Sequence, residues 1–191
     1  MTDRPIIFSA PMVRALLEGR KTQMRRVLRP QPFSNVHPSD INTIGDADEW
    51  ERVRIPYAPG DRFWVREAFT EVPMIGPRYY ATNEIPASFK KVSPIHMPRW
   101  ASRLTLLVTD VRVQRLQEIS EANAISEGIY PAANSQTIDC DTPPPSDGFR
   151  ALWNSIHGPD AWDANPWVAA ITFDVKRGNI DTPTGGTNDR D

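Results

Sequence analysis

The feature that most constrains this chain is its proline: 19 prolines in 191 residues, close to twice the usual ~5% share. Proline lacks a backbone N–H and is scarce inside helices and central strands, which argues against long helical bundles and solenoids. Placement matters as much as number. Met12 to Arg29 and Arg99 to Tyr130 are free of proline, and these two windows are expected to hold the most regular structure. A chain of this length hides roughly 70% of its unfolded surface and needs no covalent staples. One domain is therefore expected over 1–176, with irregular insertions near 31–55 and 131–146, the latter carrying Pro143-Pro144-Pro145. The polar stretch 177–191, rich in Gly, Thr and Asp, is expected to be a disordered tail.

Charge excludes some classes and leaves others open. The net charge is −2, so a protein that coats nucleic acid by overall basicity is excluded. The balance is local, however. Residues 1–30 carry seven Lys/Arg against Asp3 and Glu18, while 31–51 carry Asp40, Asp46, Asp48, Glu49 and Glu51 with no cation. The acidic loop 40–51 is either a solvated loop or a gate, mimic or docking segment for a protein partner. One cysteine, Cys140, excludes a disulfide framework and a cysteine zinc cage. No apolar run approaches the ~18 residues of a membrane span, and the opening MTDRPIIFSA lacks a signal peptide's apolar stretch. A cytoplasmic protein without membrane contact is the expectation.

Three helices follow from caps and spacing. In Pro11–Glu18, Val13, Leu16 and Leu17 share a face, and Gly19 follows as a stop. Ser120 can cap Glu121–Glu127, with Gly128 as its left-handed end. Gly148–His157 starts at an Asp147 cap and aligns Phe149, Leu152, Trp153 and Ile156 in one stripe. Alternation gives six strands: Pro5–Phe8, Thr22–Leu28, Arg62–Phe69, Tyr79–Thr82, one starting near Leu104, and one from Trp167 to Lys176. The fifth changes phase, Leu104, Leu106 and Val108 giving way to Val111 and Val113, which predicts a bulge near Thr109-Asp110. The class is α+β, with a small, strongly curved or barrel-like sheet of about six strands flanked by short helices.

The sharpest local feature is GRKTQMRR, Gly19 to Arg26, at a helix-to-strand junction. It can present Arg20 and Lys21 with backbone N–H groups to an anion, or it is a solvated basic turn. Adjacent strand residues face opposite ways, so only one of Arg25 and Arg26 can join the side of Lys21. In the second feature, DRFWVREAFT, Glu67 shares parity with Phe63, Val65 and Phe69. An inward carboxylate is either an acid or base of useful pKa, or the partner of a structural arginine. His96 and Arg99 either bind a phosphate or base, or fix their loop. Trp64, Trp100, Tyr79 and Tyr80 are the candidates for stacking on a base. His157, at a helix C-terminus, has a sufficient structural role there. No histidine, cysteine or carboxylate spacing suits a metal, and no GxGxxG or Walker loop occurs, so no cofactor is expected.

Four segments together are recognisable: GRKTQMRR, PGDRFWVREAF, IHMPRWASRLTLLVTDVRVQRLQEIS and FRALWNSIHGPDAWDANPWVAAITF. In this order they resemble the ASCH domain family, particularly its phage and prophage branch, over about Pro5 to Phe173. The resemblance implies a PUA-like β-barrel flanked by helices, acting in a bacterial host and associated with RNA. Some bacterial members are amidohydrolases that remove the acetyl group of N4-acetylcytidine with a lysine, a threonine three residues later and a glutamate in a later helical segment. Lys21 matches the lysine, Glu127 the glutamate, and the threonine position falls on Met24. Thr22 shares the strand face of Met24 but is displaced by about 6–7 Å, two residues of rise. Other members are described as ribonucleases. The leading expectation is RNA or a modified nucleoside bound beside Lys21, walled by Glu67, Arg25 or Arg26, and Trp64. Amidohydrolysis of an N4-acylated cytidine, RNA cleavage, and a non-catalytic accessory role with a protein partner are the alternatives.

Overall fold

The computed structural model of the chain describes residues 2–32, 53, 55–129 and 144–182. Among the described residues, seven strands and three α-helices follow in order: β1 (Asp3–Ile7), α1 (Ala10–Leu17), β2 (Gln23–Val27), β3 (Arg62–Arg66), β4 (Phe69–Val72), β5 (Gly76–Tyr79), β6 (Leu104–Arg115), α2 (Glu121–Ser126), α3 (Pro145–His157) and β7 (Trp167–Arg177). Five strands form one sheet in the order β1-β3-β6-β7-β2. β1 pairs with β3 in parallel, and the other neighbours are antiparallel. The sheet curls into a half-barrel whose two edges are β1 and β2. The fold is mixed α+β.

Alternation along β7 explains how both sheet faces are buried. Trp167, Ala169, Ile171 and Phe173 face the concave core with Ile6, Met24, Phe63, Val65, Leu104, Leu106 and Val108. Val13 and Leu16 of α1 complete that cluster. Val168 faces the other way, where Leu116, Ile119, Ala124, Phe149 and Trp153 cover it. The register of β6 against β7 shifts between Val108 and Asp110, at the position where the apolar phase changes. A bulge there bends the strand and increases its twist.

Several sequence expectations shift. Arg62–Phe69 is not one strand: it breaks at Glu67, whose N–H donates to Met97 Sδ at 3.1 Å and whose carboxylate is taken by Arg103. β4 starts at Phe69, β5 runs over Gly76–Tyr79, and the rest of the expected Tyr79–Thr82 strand forms the turn beyond it, where the Thr82 N–H donates to the Tyr79 carbonyl. α3 begins at Pro145, so Asp147 lies in its first turn and Pro144 occupies the cap position. Proline at the first helical position is pre-set for the helix. The free amide of Ser146 finds its acceptor on α2, donating to Glu121 Oε2 at 2.9 Å. Ser120 does cap α2, accepting from the Asn123 N–H.

Residues 177–182, expected to belong to the tail, pack on the domain. Ile180 is buried, and Asn179 Nδ2 donates to the carbonyls of Arg99, Trp100 and Ser102. Residues 33–52 and 130–143, most of the insertions expected near 31–55 and 131–146, with the acidic loop 40–51 and Cys140, lie outside the described residues, as does 183–191.

Candidate functional site

The site grows from the alternation of one edge strand. Lys21, Gln23 and Arg25 have the same parity, and all three are buried. Lys21 precedes β2 and makes an isolated antiparallel bridge to Glu127, the residue that ends α2. Its Nζ donates to Glu127 Oε2 at 2.9 Å, to the Glu127 carbonyl at 2.9 Å and to the Gln23 carbonyl at 2.8 Å. Arg25 Nη1 donates to Glu127 Oε1 at 2.8 Å and to Gln23 Oε1 at 3.1 Å. One carboxylate therefore joins two cations, with side chains 4% (Lys21), 0% (Arg25) and 6% (Glu127) exposed. The buried trio carries one positive charge in excess.

Gly128 permits this contact. Its φ is +83°, and a Cβ there would lie 2.9 Å from Lys21 Cβ and 3.0 Å from Ala15 Cβ. Both the left-handed backbone and the close approach require glycine.

A cavity of about 450 Å³ opens over the trio. Both edges of the half-barrel contribute, Ile7 and Phe8 from β1 and its end, Met24, Arg25 and Arg26 from β2. α3 forms the opposite wall with Phe149, Leu152, Trp153, Ile156 and His157. The volume lies within the range of small-molecule sites, and the mixture of apolar walls with a few convergent polar groups is typical of them. Lys21 Nζ lies 5.7 Å from the Phe8 ring centroid and the Arg25 guanidinium 5.6 Å from that of Phe149.

The wall has a surplus of donors. Among the described residues, five buried side-chain nitrogens lack a hydrogen-bond partner, and three of them, Arg25 Nε, Arg25 Nη2 and Trp153 Nε1, belong to residues lining this cavity. Buried donors are nearly always paired, and an unpaired one costs about 1–3 kcal/mol. Burial lowers the Arg25 pKa, and Glu127 works against that shift. All three nitrogens are covered by protein atoms and so belong to the packed wall behind the cavity surface.

The structure gathers some of the residues expected from sequence and separates others. Lys21, Arg25 and Glu127 converge, and Arg26 lines the same cavity from the opposite strand face. Arg20 lies outside the cavity lining, donating to the Gly128 carbonyl at 3.0 Å and pairing with Glu18. Thr22 bonds through its backbone, its N–H to the Ser126 carbonyl and its carbonyl to the Phe173 N–H.

Glu67 does not belong to the wall. It is 1% exposed and held by Arg103 through bonds of 2.7 and 2.9 Å. Its side chain does point inward, but the inward space there is a different cluster, beneath Met97. Trp64 is not on the wall either. It is buried, with the Arg66 guanidinium 4.5 Å from its ring centroid. Arg103 covers Tyr79 in the same manner at 4.0 Å. Neither ring is free to stack on a base.

His96 and Arg99 are likewise away from the cavity lining. His96 is exposed on a 3-10 turn. Arg99 pairs with Asp3 and Asp181, tying β1 to the C-terminal segment. Its two partners are held below the ordinary carboxylate pKa, Asp3 mainly by a hydrogen bond from Arg62 and Asp181 by one from Arg99.

Sequence reasoning missed Gln23, which orients Arg25, and the second role of Phe149 and Trp153 as cavity wall. The parity of Gln23 with Lys21 and Arg25 was a signal for the first. Nothing in a helical stripe distinguishes core from pocket lining. Among the described residues no cluster of His, Cys, Asp or Glu could hold a metal ion, and no helix is long and apolar enough to cross a membrane.

No family model matches the chain, and no curated protein matches it in sequence. Among solved structures, it is similar to protein EF3133 from Enterococcus faecalis V583, of family-model DUF984. That similarity has a TM-score of 0.45 at 13% identity, and covers 95% of this chain and 84% of the other.

Proposed function

We propose that this chain is an ASCH-type, PUA-like protein of the phage and prophage branch that binds a nucleoside, free or within single-stranded RNA, in the cavity beside Lys21. The observation that carries this reading is a cavity of about 450 Å³ with apolar walls, lying over a buried trio that has one positive charge in excess. The acceptor edge of a base, with its adjacent carbonyl oxygen and ring nitrogen, complements an excess of positive charge, and its flat apolar faces suit walls such as Phe8, Met24 and Phe149. The four motif segments support the same assignment, which implies a site of action in the bacterial cytoplasm.

Titration of cytidine, N4-acetylcytidine and a short single-stranded RNA against wild type and Lys21→Ala tests it. The variant retains one cation on Glu127, so its fold is expected to persist while ligand binding weakens. Superimposable binding curves would remove the cavity from the function.

A second reading is amidohydrolysis of an N4-acylated cytidine, favoured by the buried Lys21–Glu127 contact. Water would add to the acyl carbonyl, the C–N bond would break, and a carboxylic acid and the free cytosine amine would leave. Met24 lines the cavity where the resemblance expects a threonine, and a thioether supplies no hydroxyl to attack. Both Glu127 oxygens already accept hydrogen bonds from cations. Binding without turnover is therefore the main reading. Incubation with N4-acetylcytidine, and separately with RNA, decides it: release of acetate by wild type would overturn this order, and activity only in Met24→Thr would show that the nucleophile alone is missing.

A further inference from the structure

The buried trio explains the inner end of the cavity but not its outer lip. Arg26 follows Arg25 on β2 and faces the opposite way, yet it lines the cavity because β2 is a sheet edge. Arg29, three residues on, is exposed. Across the opening, His157 ends α3, its ring 4.2 Å from that of Trp153 and inclined by 35°. Arg26 and His157 line the same cavity, and Arg26 and Arg29 both lower the His157 pKa, behind the larger effect of burial. Among the described residues, no carboxylate forms an ion pair with Arg26, Arg29 or His157.

The C-terminal end of α3 offers these cations partial compensation. A helix terminus supplies about half a unit charge, whereas Arg26 and Arg29 bring two. The remainder is available to an anion, and the lip adjoins a cavity with apolar walls over a buried trio that has one positive charge in excess. Shape and charge together describe a ligand with a flat, acceptor-bearing body and an anionic group at its outer end.

We propose that Arg26, Arg29 and His157 form a phosphate site at the mouth of the cavity, so that the bound species is a phosphorylated nucleoside rather than a free one. This rests on the reading of the cavity as a nucleoside site and extends it outward. The phosphate belongs either to a mononucleotide or to a strand of RNA. Both use the same two guanidinium groups, and a bound phosphate stabilises the protonated imidazole of His157.

The test measures binding of cytidine, 3′- and 5′-cytidine monophosphate, inorganic phosphate and a single-stranded decaribonucleotide to the full chain. Wild type is compared with Arg26→Gln/Arg29→Gln, two exposed substitutions that leave the trio intact. One monophosphate should bind on the order of tenfold more tightly than cytidine, as expected for one charge-assisted contact. The double variant should lose that gain, binding the monophosphate no more tightly than it binds cytidine, and His157 ring signals should shift on adding either monophosphate to wild type.

Tighter binding of the decamer than of the mononucleotide would assign the phosphate to RNA, with a salt dependence whose slope falls by about 1 for each phosphate contact removed. Equal affinity for cytidine and both monophosphates, or a gain that survives the double substitution, would overturn the phosphate site. Binding of inorganic phosphate that depends on Arg26 and Arg29, with no binding of any nucleoside, would keep the lip and reject the nucleoside cavity. No binding of any phosphate species would overturn the proposal.

Discussion

Glu127→Gln is the substitution that most directly probes how the site is held together. It preserves side-chain volume, so no cavity term enters. What changes is charge: Lys21 and Arg25, 4% and 0% exposed at their side chains, lose their shared carboxylate. The amide has one carbonyl for two cations, and its NH2 must confront the other donor. Removing one partner of a buried ion pair typically costs ~3–5 kcal/mol. Lys21 keeps two backbone acceptors, the carbonyls of Gln23 and residue 127 at 2.8 and 2.9 Å, so the lower end applies, ~3 kcal/mol. For a domain of this size ~1 kcal/mol moves Tm by about 2–4 °C, so a fall of about 6–12 °C is expected.

Thermal melts followed by circular dichroism read this directly, and urea titration should show a lower midpoint at unchanged m. The companion variant Lys21→Met/Glu127→Gln leaves one cation facing one carbonyl and should recover at least half of the loss. A fall of under about 2 °C for Glu127→Gln, the range of an ordinary surface change, would refute the reasoning. It would mean that water reaches the trio and screens its charges.

Three further outcomes follow from the same geometry. Arg103→Met strands the buried Glu67 carboxylate and should destabilise the fold by ~3 kcal/mol or more, while nucleoside binding stays unchanged because neither residue lines the cavity; a binding defect without a stability loss would contradict this placement. Gly128→Ala forces a side chain into a backbone of φ +83° and against Lys21 Cβ, at a cost of about 1–3 kcal/mol, and calorimetric titration should show weakened ligand binding with it. In an NMR titration, the His157 imidazole should have its midpoint below 6.5, and Arg26→Gln should raise it. The sign for stability follows: the folded state binds this proton less readily than the unfolded chain, so the His157 contribution is intact above pH 6.5 and is lost as pH falls through the folded midpoint.

Local rules were legible where a residue's neighbours in sequence are also its neighbours in space. The phase change from Val108 to Val111 marks a bulge because side-chain alternation is a property of the strand itself. Ser120 and Gly128 mark the ends of α2 for the same reason, as cap and left-handed end lie within one helical turn of the groups they satisfy. Parity on β2 already required that only one of Arg25 and Arg26 accompany Lys21.

Reasoning failed where two elements distant in sequence had to meet. The inward parity of Glu67 is correct, but which cation waits inside depends on Arg103, 36 residues later. Trp64, facing away from Phe63 and Val65, is covered by Arg66, so parity alone did not measure its exposure. The cap of α3 illustrates the same limit, since the acceptor for Ser146 sits on α2, 25 residues earlier.

The sequence by itself determined an α+β chain with a curved sheet, a bulged long strand, and a basic edge carrying Lys21 and one of two arginines. These follow from period-two alternation, capping chemistry and the exclusion of proline from regular structure, all of which act over a few residues. The tertiary structure alone decided that Glu127 neutralises only one of two buried cations, that α3 closes a cavity over them, and that donors on Arg25 and Trp153 are left unpaired. Charge balance and hydrogen-bond satisfaction are sums over everything within a few ångströms. The curl of the sheet, which brings β1, β2 and α3 around one space, sets the membership of that sum.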